Sequence, residues 1–588
     1  MLSRTLLCLS MACLGLGLSA CQRQPSAATE AETAATASAQ RPFQVHEDHV
    51  YSPQIDQADF AQRVKTLSSD AFAGRAPGSE GEQRTVDYIR DQMQQIGLQP
   101  GNHGQWFQSV PMIESVADPA TQPVLHTDAG DRALNFGQDI ILGSRSGQPE
   151  VKINNSELVF VGYGVDAPEK HWNDYADQDW TGKTVVMFVN DPGFQINDDQ
   201  YFDGPRMTWY GRWTYKFEEA ARKGAVAALI VHDTDGAGYD WEVVRSSWSG
   251  PQYDLPVADD PAPRLQLQGW LSAEAARQLF ADAGIDLQQQ YRAASRPGFR
   301  PLPLQASWSV DLKSTVAQKQ SRNVIGVLPG EGQADEAVLY SAHWDHLGQH
   351  PDEHGDNIYN GAIDNATGVA GILEIAEQFA HQQPRPKRSL VFAAVTLEEA
   401  GLLGSQYYVQ HPTFPLNKIA GVINLDAMSV AGRARDLTVV GMGSSELEDI
   451  LKPVAAMQGR TLHAESSPQN GGYFRSDHFS FARAGVPALY VDGGEDLRDG
   501  GRVAGHLAAT ELGRCYHAPC DEYHPDQWKL DGVVEDLQAV YAVGNDLASS
   551  DRWPQWYPGN PFRAVREQMM HANAAAPPRP SGSPPSAR

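Results

Sequence analysis

Between Ala337 and Asp426 the sequence repeats one pattern three times: a short apolar run that ends in acidic or histidine side chains. AVLYSA runs into His343 and Asp345, LVFAAVTL into Glu398 and Glu399, and IAGVINL into Asp426. Continuous apolar runs alternating with a helix-periodic segment predict parallel strands, buried on both faces and joined by crossover helices. Sites in such sheets collect at the carboxyl ends of the strands, and the acids and the histidine all fall at that edge. The pattern predicts an α/β fold with a mostly parallel central sheet and helices on both faces.

At 588 residues the chain exceeds one ordinary domain, and a large domain with a smaller one is expected. Its apolar content of 41% is enough for sizeable cores. The formal charge of -27, with no long block of Lys or Arg, excludes a nucleic-acid partner, because phosphate recognition needs a basic surface.

Residues 1–20 are expected to leave the mature protein. Arg4, the apolar stretch Leu6 to Leu18 and the small residues before Cys21 form a secretory signal, too short to stay as a membrane span. A signal ending in cysteine resembles that of a bacterial lipoprotein, with Cys21 as the lipid-modified first residue. The expectation is therefore an exported, periplasm-facing protein on the inner or outer membrane, touching the membrane only through that anchor. Residues 21–45 are too polar to bury a core and are read as a flexible tether. Residues 561–588 are read as a C-terminal tail, Pro, Ser and Ala-rich from about Ala574 and disordered toward the end. Export leaves Cys515 and Cys520 to close a small disulfide loop, CYHAPC, around His517.

The folded part divides into three. Residues 46–121 begin the main domain, with helical spacing over Phe60 to Leu67 and over Gly78 to Ile96, where Val86, Ile89, Met93 and Ile96 form one stripe that Gly97 ends. Residues 122–306 change character: Leu158 to Tyr163, Thr184 to Val189 and Ala225 to His232 are strand-like, Tyr215 to Lys223 is helical, and acids are scattered. This reads as a smaller β-rich α/β domain inserted into the larger one, which resumes over 307–560.

The chemistry is in the residue types at the strand ends. His343 and Asp345 are two apart, so the carboxylate is expected to orient a metal-bound imidazole. Asp364, between Gly361 and Gly368, sits in a tight loop suited to a carboxylate shared by two cations. Glu398 and Glu399 point different ways, so that one ligates while the other takes a proton from water. Asp426 supplies a terminal carboxylate beside His343. A second histidine, His517 with His524 as competitor, completes an N/O set suited to two zinc ions.

The motifs AHWDHLG, GAIDNATGVA, TLEEAGLLGS, NLDAM, RSDHFSFARAGVPAL and YHAPCDEY, in this order, resemble the co-catalytic di-zinc peptidases. That family includes bacterial leucyl aminopeptidases and, more distantly, glutamate carboxypeptidase and transferrin receptor, which keeps the fold without the ligands. The resemblance spans roughly 46–112 and 307–549. Within 122–306, FVGYGV, TGKTVVMFVNDPG and KFEEAARKGAVAALIVHD resemble a protease-associated domain, which lies beside a peptidase cleft and influences substrate access.

The resemblance implies a zinc-exopeptidase fold and an active aminopeptidase acting on peptides. It implies that His343 and Asp426 bind one zinc, Glu399 and His517 the other, and that Asp364 bridges them across a cis peptide to Asn365. It implies Glu398 as general base, and His517 over His524 because Tyr516, His517, Pro519 and Asp521 match the family's YH-x-P-x-D. Tyr516 is implied as a donor to the oxyanion, and Asp477 and His478 as supporting wall residues. Two alternatives stand beside this: a carboxypeptidase of the glutamate carboxypeptidase type, with Arg475 as a carboxylate anchor, and a non-enzymatic receptor-like module. The sequence sets no oligomeric state.

Overall fold

The structure, a computed structural model, describes residues 49–574 apart from 177, 197–201 and 351–353. The expected signal, the tether, Cys21 and the tail beyond residue 574 lie outside the described residues.

Helix α1 (Gln57–Leu67) begins at Asp56, whose carboxylate accepts the Ala58 and Asp59 amides, and α2 (Glu80–Ile96) begins at Ser79, whose hydroxyl accepts the Glu82 amide. Such caps satisfy amides that the first helical turn leaves open. Gly97 closes α2 at φ 96°, a left-handed turn that glycine adopts without a Cβ clash. The stripe of Val86, Ile89 and Met93 is fully buried.

Strand β1 (Phe107–Ala117) leads into the segment 122–306. There β2 (Glu150–Phe160), β3 (Thr184–Phe188), β4 (Ala227–Val231), β5 (Pro251–Asp254) and β6 (Leu267–Leu271) follow, with helices α3 (Trp213–Arg222) and α4 (Trp241–Trp248) between them. Strands β2, β3, β4 and β6 lie side by side and parallel. Every residue of β3 and β4 is buried, as expected for apolar runs with no polar face. Strand β5 leaves this sheet and pairs antiparallel with β1.

One strand, β7 (Leu302–Leu328), belongs to both sheets. Its residues 302–313 pair with β2, residues 314–324 with β1, and 324–328 with a strand of the main sheet. The expected boundary at 306/307 falls inside it. Residues 304–325 contain neither Gly nor Pro, and the strand runs through this span although its register with β2 shifts between Pro303 and Ser307 and between Trp308 and Val310. Trp308 fixes the first half, its indole N–H donating to Thr184 Oγ1 at 2.7 Å inside the smaller sheet's core.

The main domain continues with β8 (Gln333–His343), α5 (Gly368–His381), β9 (Arg388–Val395), α6 (Leu403–Gln410), β10 (Ile419–Asn424), β11 (Ala488–Gly493), α7 (Gly501–Cys515) and α8 (Asp531–Ser549). Strands β9, β8, β10 and β11 are parallel neighbours in that order, with β7 antiparallel on the β9 side. The three apolar runs are thus three adjacent central strands, and β9 and β10 are buried throughout. Register brings their carboxyl ends level: His343 lies beside Val395, and Ser341 beside Asn424.

Within the residues assigned from sequence to the tail, Phe562–Ala574 forms a helix. Its Arg566 is fully buried, with Nη2 donating to the Ile419 carbonyl at 3.0 Å.

Gly404, in α6, sits where a Cβ would lie 1.9 Å from the Thr396 carbonyl oxygen, two residues before the glutamate pair. Backbone cannot yield cheaply at that distance. Gly404→Ala is expected to destabilise the chain by about 1–3 kcal/mol, typical of overpacking, as read from urea unfolding; an unshifted midpoint would refute this close approach.

Candidate metal centre

Every sequence-predicted ligand stands just beyond a carboxyl strand end or in a loop tied to one. His343 ends β8, Glu398 and Glu399 follow β9, and Asp426 follows β10. Asp364 lies in the irregular turn before α5, where the Asp364–Asn365 peptide is cis. The turn is laced to the β10 end: Asn365 donates to the Leu425 carbonyl at 3.1 Å and accepts the Ala427 amide at 3.2 Å. His517 is in the loop closed by the Cys515–Cys520 disulfide, whose Cα atoms are 5.2 Å apart.

These side chains converge. His343 Nε2 is 3.2 Å from both Asp364 Oδ1 and Asp426 Oδ1. His517 Nε2 is 2.8 Å from Glu399 Oε2 and 3.4 Å from Asp364 Oδ2. The two oxygens of Asp364 therefore face different histidines, the disposition of a carboxylate shared between two ions. Two overlapping triplets have ligand atoms within 4.8 Å of one another: His343, Asp364 and Glu399, and His343, Glu398 and Asp426. The donor set, with no thiolate, suits zinc. His517 Nε2 is buried close to two carboxylates yet makes no well-aligned hydrogen bond, as fits an atom whose lone pair addresses an ion.

The structure corrects one expected contact. His343 Nδ1 meets the backbone carbonyl of Asp345 at 3.2 Å, while the Asp345 carboxylate is 3.8 Å away and accepts the Glu398 amide at 3.2 Å. The strand ends at His343, so Asp345 no longer follows the two-residue alternation that would aim it at the imidazole. It positions Glu398 instead. His524 is exposed and takes no place in the cluster. Tyr516 stacks on His517 with ring centroids 3.9 Å apart and lines the same cavity as Glu398 and Glu399. Asp477 and His478 are fully buried, Asp477 close enough to His343 for their charges to interact.

Three further residues support the centre, and two of them, His346 and Arg75, have no role assigned from sequence. His346, three residues after His343, places Nδ1 2.7 Å from Glu399 Oε1. Arg75, fully buried, donates to the carbonyls of Trp344, Asn360 and Gly361, clamping the loops that carry His343 and Asp364. Asp521 accepts the amides of Ile363 at 2.9 Å and Asp364 at 3.0 Å. Only Asp521 left a sequence signal, as the acid of YH-x-P-x-D.

Burial disfavours the charged form of each group, and neighbours decide which keep it. For Asp364 burial is outweighed by the contacts with His343 and His517, which hold its carboxyl well below the usual range. Glu399, equally buried, is drawn down to about 2 by His517. The histidines move up despite burial: His343 well above the ordinary imidazole value beside Asp426 and Glu398, and His517 to about 10 beside Glu399. Glu398 is pushed well above the usual carboxyl range by burial, which the attraction of His343 does not offset.

Residues 323–542 match Peptidase family M28. Leupeptin-inactivating enzyme 1 of Streptomyces exfoliatus is 32% identical over 174 residues, 29% of this chain and 38% of that protein. Aminopeptidase NAALADL1 of Mus musculus is 28% identical over 163 residues, 26% of this chain and 20% of that protein. The chain thus spans less than half the length of these curated relatives. Among solved structures, an aminopeptidase from Aneurinibacillus sp. strain AM-1 is similar over 84% of this chain and 94% of its own, at 19% identity and a TM-score of 0.49.

Without a metal, the upward shifts of His343 and His517 favour protons that offset part of the carboxylate charge, and zinc must displace those protons. Zinc uptake near pH 7 is expected to release protons, and apparent affinity to rise as pH rises from 6 to 8, measured by calorimetry in buffers of different ionisation enthalpy. Uptake without proton release would contradict the upward shifts of the two imidazoles.

Proposed function

Taking the Peptidase family M28 segment as its catalytic part, we propose that this chain is a zinc-dependent exopeptidase, and specifically an aminopeptidase holding two zinc ions. The observation that carries the reading is Asp364, whose Oδ1 faces His343 and whose Oδ2 faces His517. In this reading His343 and Asp426 would hold one ion, Glu399 and His517 the other, and Asp364 would be offered to both. Zinc, when bound, polarises a carbonyl and acidifies water toward neutral pH.

Glu398 takes the proton of the attacking water and returns it to the leaving amine. Its carboxylate is 4.0 Å from His343 Nε2, farther than either Asp364 or Asp426, which leaves it the group of the cluster with the weakest claim to ligation. Substrate enters a cavity of about 90 Å³ lined by Glu398, Glu399, Tyr516 and His517. Trp213, Trp248 and Gly401 line both this space and a larger cavity of about 450 Å³. A small recess beside the cluster suits one terminal residue, and the larger space suits the rest of a peptide. The name carried by the mouse relative supports the aminopeptidase choice. The receptor-like alternative leaves a complete donor set without a purpose.

One observation favours the carboxypeptidase as a second reading. Arg212, from 122–306, and Arg475 both line the smaller cavity, and the Nε of each is buried without a hydrogen-bond partner. Arg475 Nη2 donates to the Ala237 carbonyl at 2.5 Å and its guanidinium lies 5.0 Å over the Tyr239 ring. Burial, then the neighbouring charge of Arg475, lowers Arg212 to about 10. Two like charges so placed favour an anionic guest, such as a terminal carboxylate.

Glu398→Ala is expected to keep its zinc, by elemental analysis, while turnover falls by about 100- to 10,000-fold; Asp364→Ala is expected to lose metal. Metal loss in Glu398→Ala would make Glu398 a ligand, and near-native turnover would remove it from the mechanism.

Capped peptides separate the two readings. An aminopeptidase loses activity when the N-terminus is acetylated and tolerates a C-terminal amide. Activity that survives acetylation, is abolished by amidation and falls about 10- to 100-fold in Arg475→Ala, the range for a lost charge-assisted hydrogen bond, would establish the carboxypeptidase instead. Hydrolysis indifferent to chelators would overturn both.

A further inference from the structure

The two histidines of the centre are oriented by different parts of the chain. His343 Nδ1 faces a backbone carbonyl two residues away, at Asp345. His517 Nδ1 lies 2.9 Å from Ser247 Oγ, a side chain 270 residues earlier, in the last turn of α4. Resting on the zinc reading above, we propose that Ser247 is a positioning residue of the metal centre: its hydroxyl oxygen accepts a hydrogen bond from His517 Nδ1–H and so fixes the tautomer and ring angle that would turn Nε2 toward a bound ion.

The tautomer follows from the geometry. Nε2 of His517 faces Glu399 Oε2 and Asp364 Oδ2, so a zinc ion held by this group would take the Nε2 lone pair of a neutral ring. A neutral imidazole carries one N–H, which then sits on Nδ1 and needs an acceptor. Ser247 Oγ is that acceptor. Partners of this kind orient ligating histidines and raise their basicity.

Ser247 is held in place from two directions. The adjacent Trp248 packs against Trp213, Phe217 and Trp270, with ring centroids 5.2, 5.7 and 6.2 Å away, anchoring the end of α4 on the smaller sheet. Four residues after Ser247, β5 begins and pairs with β1, Pro251 beside Val116 and Tyr253 beside Glu114. The hydroxyl is therefore fixed relative to both sheets, as a preorganised site requires. On the other side, His517 has φ 55° within the disulfide loop and Tyr516 stacked on its ring. A flexible loop would leave the imidazole free to turn; here its Nδ1 faces one defined partner. The consequence is that 122–306 does more than border the cleft: it contributes to how tightly the centre holds metal.

The test is zinc affinity of the full chain, measured by competition with a chromophoric chelator, alongside thermal unfolding of the metal-free protein. Ser247→Ala is expected to weaken the affinity about 10- to 100-fold, the usual effect of removing such a partner, while Ser247→Thr, which keeps the hydroxyl, stays within about threefold. A serine that merely braced α4 would lower the unfolding temperature of the Ala variant and leave its zinc affinity within about twofold of the parent, and that result overturns the proposal. Loss of affinity in Ser247→Thr equal to that in Ser247→Ala overturns it too, since the hydroxyl would then not be the active feature. If the parent chain takes up no zinc, the exopeptidase reading falls together with this one.

Discussion

The rest of the structure answers to one electrostatic constraint: Asp364, Glu398, Glu399 and Asp426 are gathered around two histidines at the buried carboxyl edge of a sheet. Carboxylates taken from water and placed side by side repel one another and lose hydration, so the surrounding backbone must hold them against both costs. It does so with groups that cannot drift. Arg75 spreads its donors over three carbonyls in the loops after β8 and before α5, and Asp521 takes two amides of the Asp364 turn. Burial lowers the Arg75 guanidinium to about 10, with the charges of Asp521, Asp364, Asp345 and Glu399 acting the other way. It therefore stays cationic at neutral pH and offsets part of the negative charge beside it.

Left-handed backbone, which occurs at several places in the chain, also marks this edge. Leu397, immediately before the glutamate pair, Ala427, immediately after Asp426, and His517 itself all have left-handed φ, at 57°, 51° and 55°. A residue with a Cβ adopts this conformation at a cost of about 1–2 kcal/mol. Three such residues beside ligands mean that strand ends are turned sharply so that side chains from different strands face one point. The buried parallel strands behind them supply the stability that offsets this cost, because β9 and β10 are enclosed along their whole lengths and apolar over most of them.

How much was legible in the sequence follows from the range of each interaction. Strand runs and ligands were readable because each ligand adjoins its own apolar run, so local pattern and chemistry coincide at His343, Glu398, Glu399 and Asp426. Asp364 and His517 needed neighbouring motifs to be given weight. Arg75, Arg212 and Ser247 were invisible for a different reason: an arginine in a short turn or a serine at a helix end has no local mark of use, and their partners lie roughly 270 residues away or across a cavity. Two-residue alternation mispredicts the contact of Asp345 because the strand stops at His343. Where α4 and the disulfide loop meet is a property of tertiary packing that no window of the sequence contains.

The junction between the two sheets was likewise unreadable as a boundary, because physically there is none. A linker would show polar, Gly-rich or Pro-rich sequence, whereas β7 crosses from one sheet to the other with its backbone hydrogen bonds transferred from β2 to β1 at residues 313 and 314. Strand β5 makes a second crossing in the opposite sense, from 122–306 onto the edge of β1. Two paired strands resist hinge motion far more than two loops do, since bending would break ladder bonds on both. The smaller sheet is consequently held at a set distance from the strand ends. That rigidity is what allows Ser247 and Arg212, carried on its helices and turns, to meet groups of the other sheet at hydrogen-bonding and charge-coupling range.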